Sequence, residues 1–207
     1  MDKAEELKNL EAEMAADNML PLRESNLVFG EGSPDSKVMF IGEAPGFNED
    51  REKRPFVGRA GQLLRKNLRE MGWKENDVYI TNIVKRRPPE NRDPLPNEIA
   101  AYQPYLEKQI KIINPKIIAA LGRFSMNYFL PEAKISRDQG KVFRFKNFLL
   151  VPIYHPAAAL RSTEVLGEMQ KSMKQLPKIL EKADEFLAQS RPEQPEKKEQ
   201  TVQKKLF

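Results

Sequence analysis

At 207 residues the chain is long enough for one hydrophobic core with appendages rather than two domains, and its 40% apolar and 31% charged residues suit a soluble globular protein. No apolar run approaches the ~18 residues of a membrane span; cysteine is absent and histidine occurs once, which excludes disulfides, zinc–thiolate sites and iron–sulfur ligation and leaves little for any transition metal. The net charge is +5, but residues 1–16 hold two lysines against five acids, so the remainder carries +8, compatible with a polyanionic partner or with ordinary surface charge.

The chain opens MDKAEELKNLEAEM, acidic and amphipathic rather than basic and then apolar, so a signal peptide is not expected and the cytoplasm is. Leu7, Leu10 and Met14 form a short helical stripe over residues 2–15. KVMFIG (37–42) reads as a buried strand running into the loop GEAPGFNED, and Leu64, Leu68 and Met71 mark one face of a helix that Gly72 ends. VYITNIV (78–84) is a second strand, followed by the proline- and arginine-rich loop KRRPPENRDPLPN. Helix is expected from about Glu98 to Ile113, with Pro104 either breaking it or opening its second half. KIIAALG (116–122) is a third strand, and RFSMNYFL begins a helix. KVFRFKNFLLVPIY (141–154) reads as a hairpin turned at Lys146–Asn147 whose second arm is the fourth core strand. A long helix is expected from Thr163 to about Leu187, kinked at Pro177. Residues 189–207 cannot build a core and read as disordered. The division is 1–27 as N-terminal helix and linker, 28–188 as the domain, and 189–207 as tail.

Strands alternating with helices indicate a mostly parallel sheet covered on both faces. Ligands bind at the carboxyl ends of such strands, where the loops converge. Those ends here carry GEAPGFNED, Asn82 with KRRPPENR, Gly122–Arg123 and HPAAALR (155–161), so the one histidine, an asparagine inside an apolar strand and the glycine loop should share a crevice rimmed by Arg86, Arg87, Arg92, Arg123 and Arg161. Taken singly, each has a plainer reading: a turn, an asparagine bridging backbone, a structural histidine, a solvated arginine loop.

Together, GEAPGFNED, RPFVGRAGQLL, YITNIVKRRPPENRDP and HPAAALR resemble the uracil-DNA glycosylase superfamily, and within it family four, over residues 28–180. The resemblance implies a three-layer α/β/α fold around a four-stranded parallel sheet, and hydrolysis of the N-glycosidic bond of uracil flipped out of DNA, leaving an abasic site. It assigns Phe56 to stack on the base, worth about 1–3 kcal/mol, and Asn82 to read N3–H and O4, a pattern that cytosine inverts. His155 would donate to O2 as charge develops there, worth roughly 3–4 kcal/mol. Ala44 stands where other branches carry Asp or Asn, so Glu43 is the candidate for activating water, with Glu49 positioning water or shaping the pocket. Gly46 stands where some relatives carry a tyrosine against the thymine methyl. The backbone of 42–46, including Gly42, with Pro156, Leu160 and Arg161 of HPAAALR, would grip phosphates and wedge the gap.

Family four normally holds a 4Fe-4S cluster on four cysteines; by register those places are Asp17, Leu20, Arg86 and Tyr102 here, so no cofactor is expected, with Leu20 and Tyr102 filling the space. Lys53 replaces the usual glycine before RPF. The last residues, QKKLF, resemble the peptide by which bacterial repair proteins dock on the β sliding clamp, through Gln203, Leu206 and Phe207. The expected partners are thus uracil-containing DNA and that clamp, in a monomer in the cytoplasm at the nucleoid. Alternatives are a broader deaminated-base or mismatch glycosylase, or a weakly catalytic uracil-DNA-binding module. A dinucleotide-binding domain is disfavoured, because GEAPG lacks the G-x-G-x-x-G spacing.

Overall fold

The computed structural model describes residues 2–145 and 147–188. Lys146 of the expected turn and the Gln203, Leu206 and Phe207 of the expected clamp peptide therefore lie outside the described residues.

Four strands form the heart of the molecule: β2 (Val38–Gly42), β3 (Val78–Asn82), β4 (Ile117–Leu121) and β6 (Leu149–Ile153), every residue of each buried. They pair in parallel in the order β3-β2-β4-β6, and two-residue antiparallel strands, β1 (Glu31–Gly32) and β5 (Phe143–Arg144), extend the edges to six. Continuous apolar runs suit strands covered on both faces. Alternation divides their side chains between two cores. Met39, Ile41, Ile118, Ala120 and Leu150 face one layer; Val38, Phe40, Ile117, Ala119, Val151 and Ile153 face the other.

The first layer holds α1 (Lys3–Ala16), which buries Leu7, Leu10 and Met14, together with α4 (Pro96–Ile113) and α5 (Gly122–Phe129). The second holds α3 (Arg59–Glu70) and α8 (Thr163–Glu181), which contribute Leu64, Leu68, Met169, Met173 and Leu176. Short helices α2 (Phe47–Glu52), α6 (Ile135–Asp138), α7 (Pro156–Ala159) and α9 (Ala183–Ala188) complete the set. This is the three-layer α/β/α arrangement around parallel strands.

Three local expectations need correction. Pro104 does not interrupt α4, which is continuous from Pro96 to Ile113. Pro104 and Ala100, whose carbonyl loses its helical partner, are both exposed, so water can serve that carbonyl while buried Tyr102, Tyr105 and Leu106 hold the helix to the sheet. The last long helix passes Pro177 without interruption but ends at Glu181, and α9 follows as a separate piece. Lys116 paired with Asp184, and Arg144 donating to the Leu187 carbonyl at 2.9 Å, turn that piece onto the sheet edge. Finally, GEAPGFNED is only half loop, since its second half forms α2.

Pro152 sits inside β6 without cost to pairing. Its carbonyl accepts from Gly140 N–H at 2.7 Å on the side away from β4, beyond the residues that pair with β5, so the missing N–H leaves no ladder bond unmade.

Candidate active site

The carboxyl ends of β2, β3, β4 and β6 border a crevice of about 620 Å3. Glu43, Ala44, Gly46, Glu49, Phe56, Asn82, Arg92, Arg123, His155 and Arg161, all singled out from the sequence, line it. A larger groove of about 780 Å3 between α4, α5 and the β5–β6 hairpin contains none of the selected residues.

Register explains the first meeting. Gly42 and Asn82 end adjacent parallel strands directly opposite each other, and the pairing continues past the strand ends through Ile83 N–H to Gly42 O and Val84 N–H to Glu43 O, both 3.0 Å. A Cβ at Gly42 would lie 2.4 Å from Asn82 Oδ1 and 2.5 Å from Phe56 Cζ, so glycine here is what lets the amide and the ring approach. Asn82 is 2% exposed, yet its side-chain amide makes no hydrogen bond to another described residue. A buried amide with nothing to bridge inside the fold is an open recognition group.

Phe56 reaches the crevice with φ at +54°, in the left-handed region. Glu49 Oε1 accepts the N–H groups of Val57 at 2.9 Å and Gly58 at 2.7 Å, so of the two parts expected of Glu49, shaping the pocket is the one its contacts support. The Phe56 and His155 rings stand 5.8 Å apart and tilted by 34°. Gly122, at φ +85°, makes room for that histidine, because a Cβ there would come within 2.9 Å of His155 Cβ.

His155 caps α7, its Nδ1 accepting from Ala157 N–H at 3.1 Å. With Nδ1 an acceptor, the ring proton belongs on Nε2. Burial pushes the imidazole down to about 4, against a smaller opposing pull from the Glu49 charge, so the ring is a neutral donor at physiological pH. Glu43 moves the other way: desolvation, reinforced by Asp93 and opposed by Arg123, raises its carboxyl to about 7.

The basic rim is smaller than expected. Arg92, held by Glu98 at 2.6 and 2.8 Å, Arg123, paired with Asp93 at 3.3 Å, and Arg161 line the crevice. Arg87 lies outside its lining, stacked 5.2 Å over the exposed Phe47 ring and bonded to Asn91. Arg86 must be withdrawn from the rim: it is 7% exposed and turned inward to the Ser25 carbonyl. The cause is the pairing of its loop with the N-terminal segment, Val28 N–H to Lys85 O at 2.8 Å and Ser25 Oγ to Arg87 O at 2.8 Å. Pro156 is also misplaced as a surface contact, being buried as the first residue of α7, whereas Leu160 is 44% exposed. The sequence reading missed Asp93, Asn91, Pro88 and Phe124 in the lining. The first three lie in the loop 85–97, whose arginines carry a cationic signal in the sequence that these side chains lack.

The description "Uracil DNA glycosylase superfamily" belongs to the family model that matches residues 29–182. This chain belongs to that superfamily. It is similar to a type-4 uracil-DNA glycosylase of Sulfurisphaera tokodaii, 44% identical over 165 residues that cover 75% of each chain. It is likewise similar to the type-4 enzymes of Saccharolobus solfataricus, 43% identical over 75% of this chain and 76% of the relative, and of Thermotoga maritima, 44% identical over 69% and 76%.

The positions that the superfamily resemblance assigns to cluster ligands do not fit an iron–sulfur group, which needs thiolates. Asp17 accepts from Tyr105 Oη at 2.7 Å and Met19 N–H at 2.9 Å, bonds that hold its carboxyl below the usual range. Leu20 is 5% exposed, Tyr102 is fully buried with its hydroxyl donating to Pro21 O at 2.7 Å, and Arg86 bonds Ser25. Among the described residues, no group of three or more His, Cys, Asp or Glu could hold a metal ion, and no helix is long and apolar enough to cross a membrane.

Proposed function

We propose that this chain hydrolyses the N-glycosidic bond of uracil in DNA. The observation that carries the reading is the pairing, in one crevice, of a buried Asn82 amide left open by the fold and a neutral imidazole whose remaining N–H faces no internal acceptor among the described residues.

A uracil extruded from the stack meets the Phe56 ring with its face and Asn82 with its edge, the amide oxygen accepting N3–H and the amide nitrogen donating to O4. As the bond between C1′ and N1 breaks, the electron pair leaves with the base. His155 Nε2–H donates to O2 where that charge gathers, and does so without giving up its proton. The sugar left behind is cationic. Water adds to C1′, and Glu43, in its ionised form, takes the proton. The uracil anion takes up a proton from solvent as Glu43 returns the one it removed from water, so the products are free uracil and an abasic deoxyribose. Arg92, Arg123 and Arg161 supply phosphate contacts at the rim, and the exposed Leu160 is the wedge.

No cofactor enters this scheme. The unit that acts is residues 28–188 together with the N-terminal segment, which shares their core through Leu7, Leu10, Met14 and Leu20, rather than residues 28–188 alone; it works as a monomer at the nucleoid in the cytoplasm, recruited to the β sliding clamp by Gln203, Leu206 and Phe207. Gly46 in the lining supports a second reading, acceptance of other deaminated bases, since it carries no side chain and only the Glu49 carboxylate, 2.9 Å from where a Cβ would lie, stands there; a panel of oligonucleotides with uracil, thymine mismatches and hypoxanthine separates the two.

A gel assay on a single-uracil oligonucleotide tests the central claim. Wild type should convert it to an abasic product, and Asn82→Ala and His155→Ala should each slow conversion by about 100-fold or more. Stoichiometric binding without abasic product would leave only a recognition module.

A further inference from the structure

Phe56 is the wall of the crevice whose backbone is hardest to keep in place, because φ at +54° is sparsely populated for an aromatic residue. What keeps it there lies behind the crevice. Arg65, in the middle of α3 and 7% exposed, donates from Nε to Phe56 O and from Nη2 to Pro55 O, both at 2.9 Å. The same guanidinium is paired with Glu31 on edge strand β1 and with Glu75, and Glu31 also pairs with Arg54 at 2.8 Å. All three guanidinium nitrogens are therefore engaged, a fork that a lysine could not reproduce. Gly61 provides the clearance, since a Cβ there would fall 1.9 Å from Phe56 O. On the opposite side Glu49 holds the amides of residues 57 and 58. The segment 55–58 is thus gripped by its carbonyls from α3 and by its amides from α2.

Arg65 does not line the crevice, so any effect on the bound base passes through Phe56. We propose that Arg65 is a positioning residue for base recognition: its two carbonyl hydrogen bonds, braced by Glu31 and Glu75, lock Phe56 in the left-handed conformation that presents its ring to the base. Recognition groups must be held to within about 0.5 Å to be effective, and a ring on an unbraced loop is not. This rests on the reading of the crevice as a uracil pocket.

The test is a double-mutant cycle of Arg65→Gln and Phe56→Ala, read as single-turnover base release, inhibition by free uracil, and melting temperature. Each single variant should slow release and weaken uracil inhibition by roughly 5- to 150-fold, the span of one aromatic stack on a base. The double variant should be no slower than Phe56→Ala alone, because both remove the same contact. Wild-type behaviour of a folded Arg65→Gln, or losses that multiply in the double variant, would overturn the proposal. If Arg65→Gln does not fold, Glu31→Gln loosens the same guanidinium and must show the same non-additivity, or the proposal fails. Phe56→Ala at the wild-type rate would instead overturn the uracil-pocket reading and this inference with it.

Discussion

At the scale of single residues, two titratable groups of the crevice, His155 and Glu43, are driven apart by one cause. Burial disfavours charge, so it lowers His155 from 6.5 to about 4 and raises Glu43 from 4.5 to about 7. Between pH 4.5 and 7 the folded chain keeps a proton on Glu43 that the unfolded chain would release, so this contribution to stability is present below 4.5 and lost as pH rises to about 7. His155 has the reverse sign: its contribution is present above 6.5 and lost as pH falls towards 4. For catalysis only Glu43 should be visible. With an ionised Glu43 as base, kcat/KM should rise through an apparent pKa near 7, with no step near 6.5 from the histidine. Glu43→Gln should flatten that limb and lower its plateau by about 100-fold or more, as measured in a pH–rate profile on the uracil oligonucleotide. Asn82 and His155 were legible because each is an unusual type at or just past a strand end, whereas Phe56 and Glu43 were marked by the family resemblance. The role of Gly42 was not, since only the register with Asn82 reveals which atoms a Cβ would strike.

At the scale of elements, the strands and long helices follow from periodicity, while the short helices that shape the site do not. α2 and α7 have six and four residues, too few for a repeating apolar face, and α7 forms because His155 caps it and Pro156 stands at its first position. α2 ends at Lys53 with φ +55°, which gives a physical reason for glycine at this place. Lys53→Gly should therefore stabilise the chain by about 0.5–1 kcal/mol, a rise of roughly 1–4 °C in Tm by calorimetry, with base release unchanged. A different kind of element-level surprise is Lys85. It is fully buried at the end of β3, its amine bonded to Thr81 Oγ1 and Gln109 Oε1 and pushed by desolvation well below the ordinary lysine value. A lysine in an arginine-rich loop reads as surface charge, and only the packing of the N-terminal segment over it turns it into an internal hydrogen-bond donor.

At the scale of the whole molecule, the parallel sheet gathers four loops at one edge. α9 closes the described domain on the sheet edge formed by β5, where Arg144 donates to the Leu187 carbonyl. The clamp recruitment proposed for residues 203–207 predicts a division of labour in which cleavage does not depend on those five residues. Deletion of residues 203–207 should abolish capture on immobilised clamp while cleavage of short oligonucleotides keeps its wild-type rate; a loss of cleavage would refute the division.

Apolar periodicity and glycine-bounded runs were enough to determine the α/β alternation, the four core strands and the set of loops that meet above them. These properties are local: they depend on which face of a strand or helix is apolar, and that is written along the chain. Only the tertiary structure decided that Arg86 and Lys85 turn inward, that α4 tolerates Pro104, and that Arg65 and Glu49 grip the Phe56 segment from two helices. For Glu49, Arg65, Lys85 and Arg86 the outcome depends on a partner well separated in sequence, from 8 residues for Glu49 to 61 for Arg86, and the free energy of burying or pairing a group is set by that partner rather than by its neighbours in sequence.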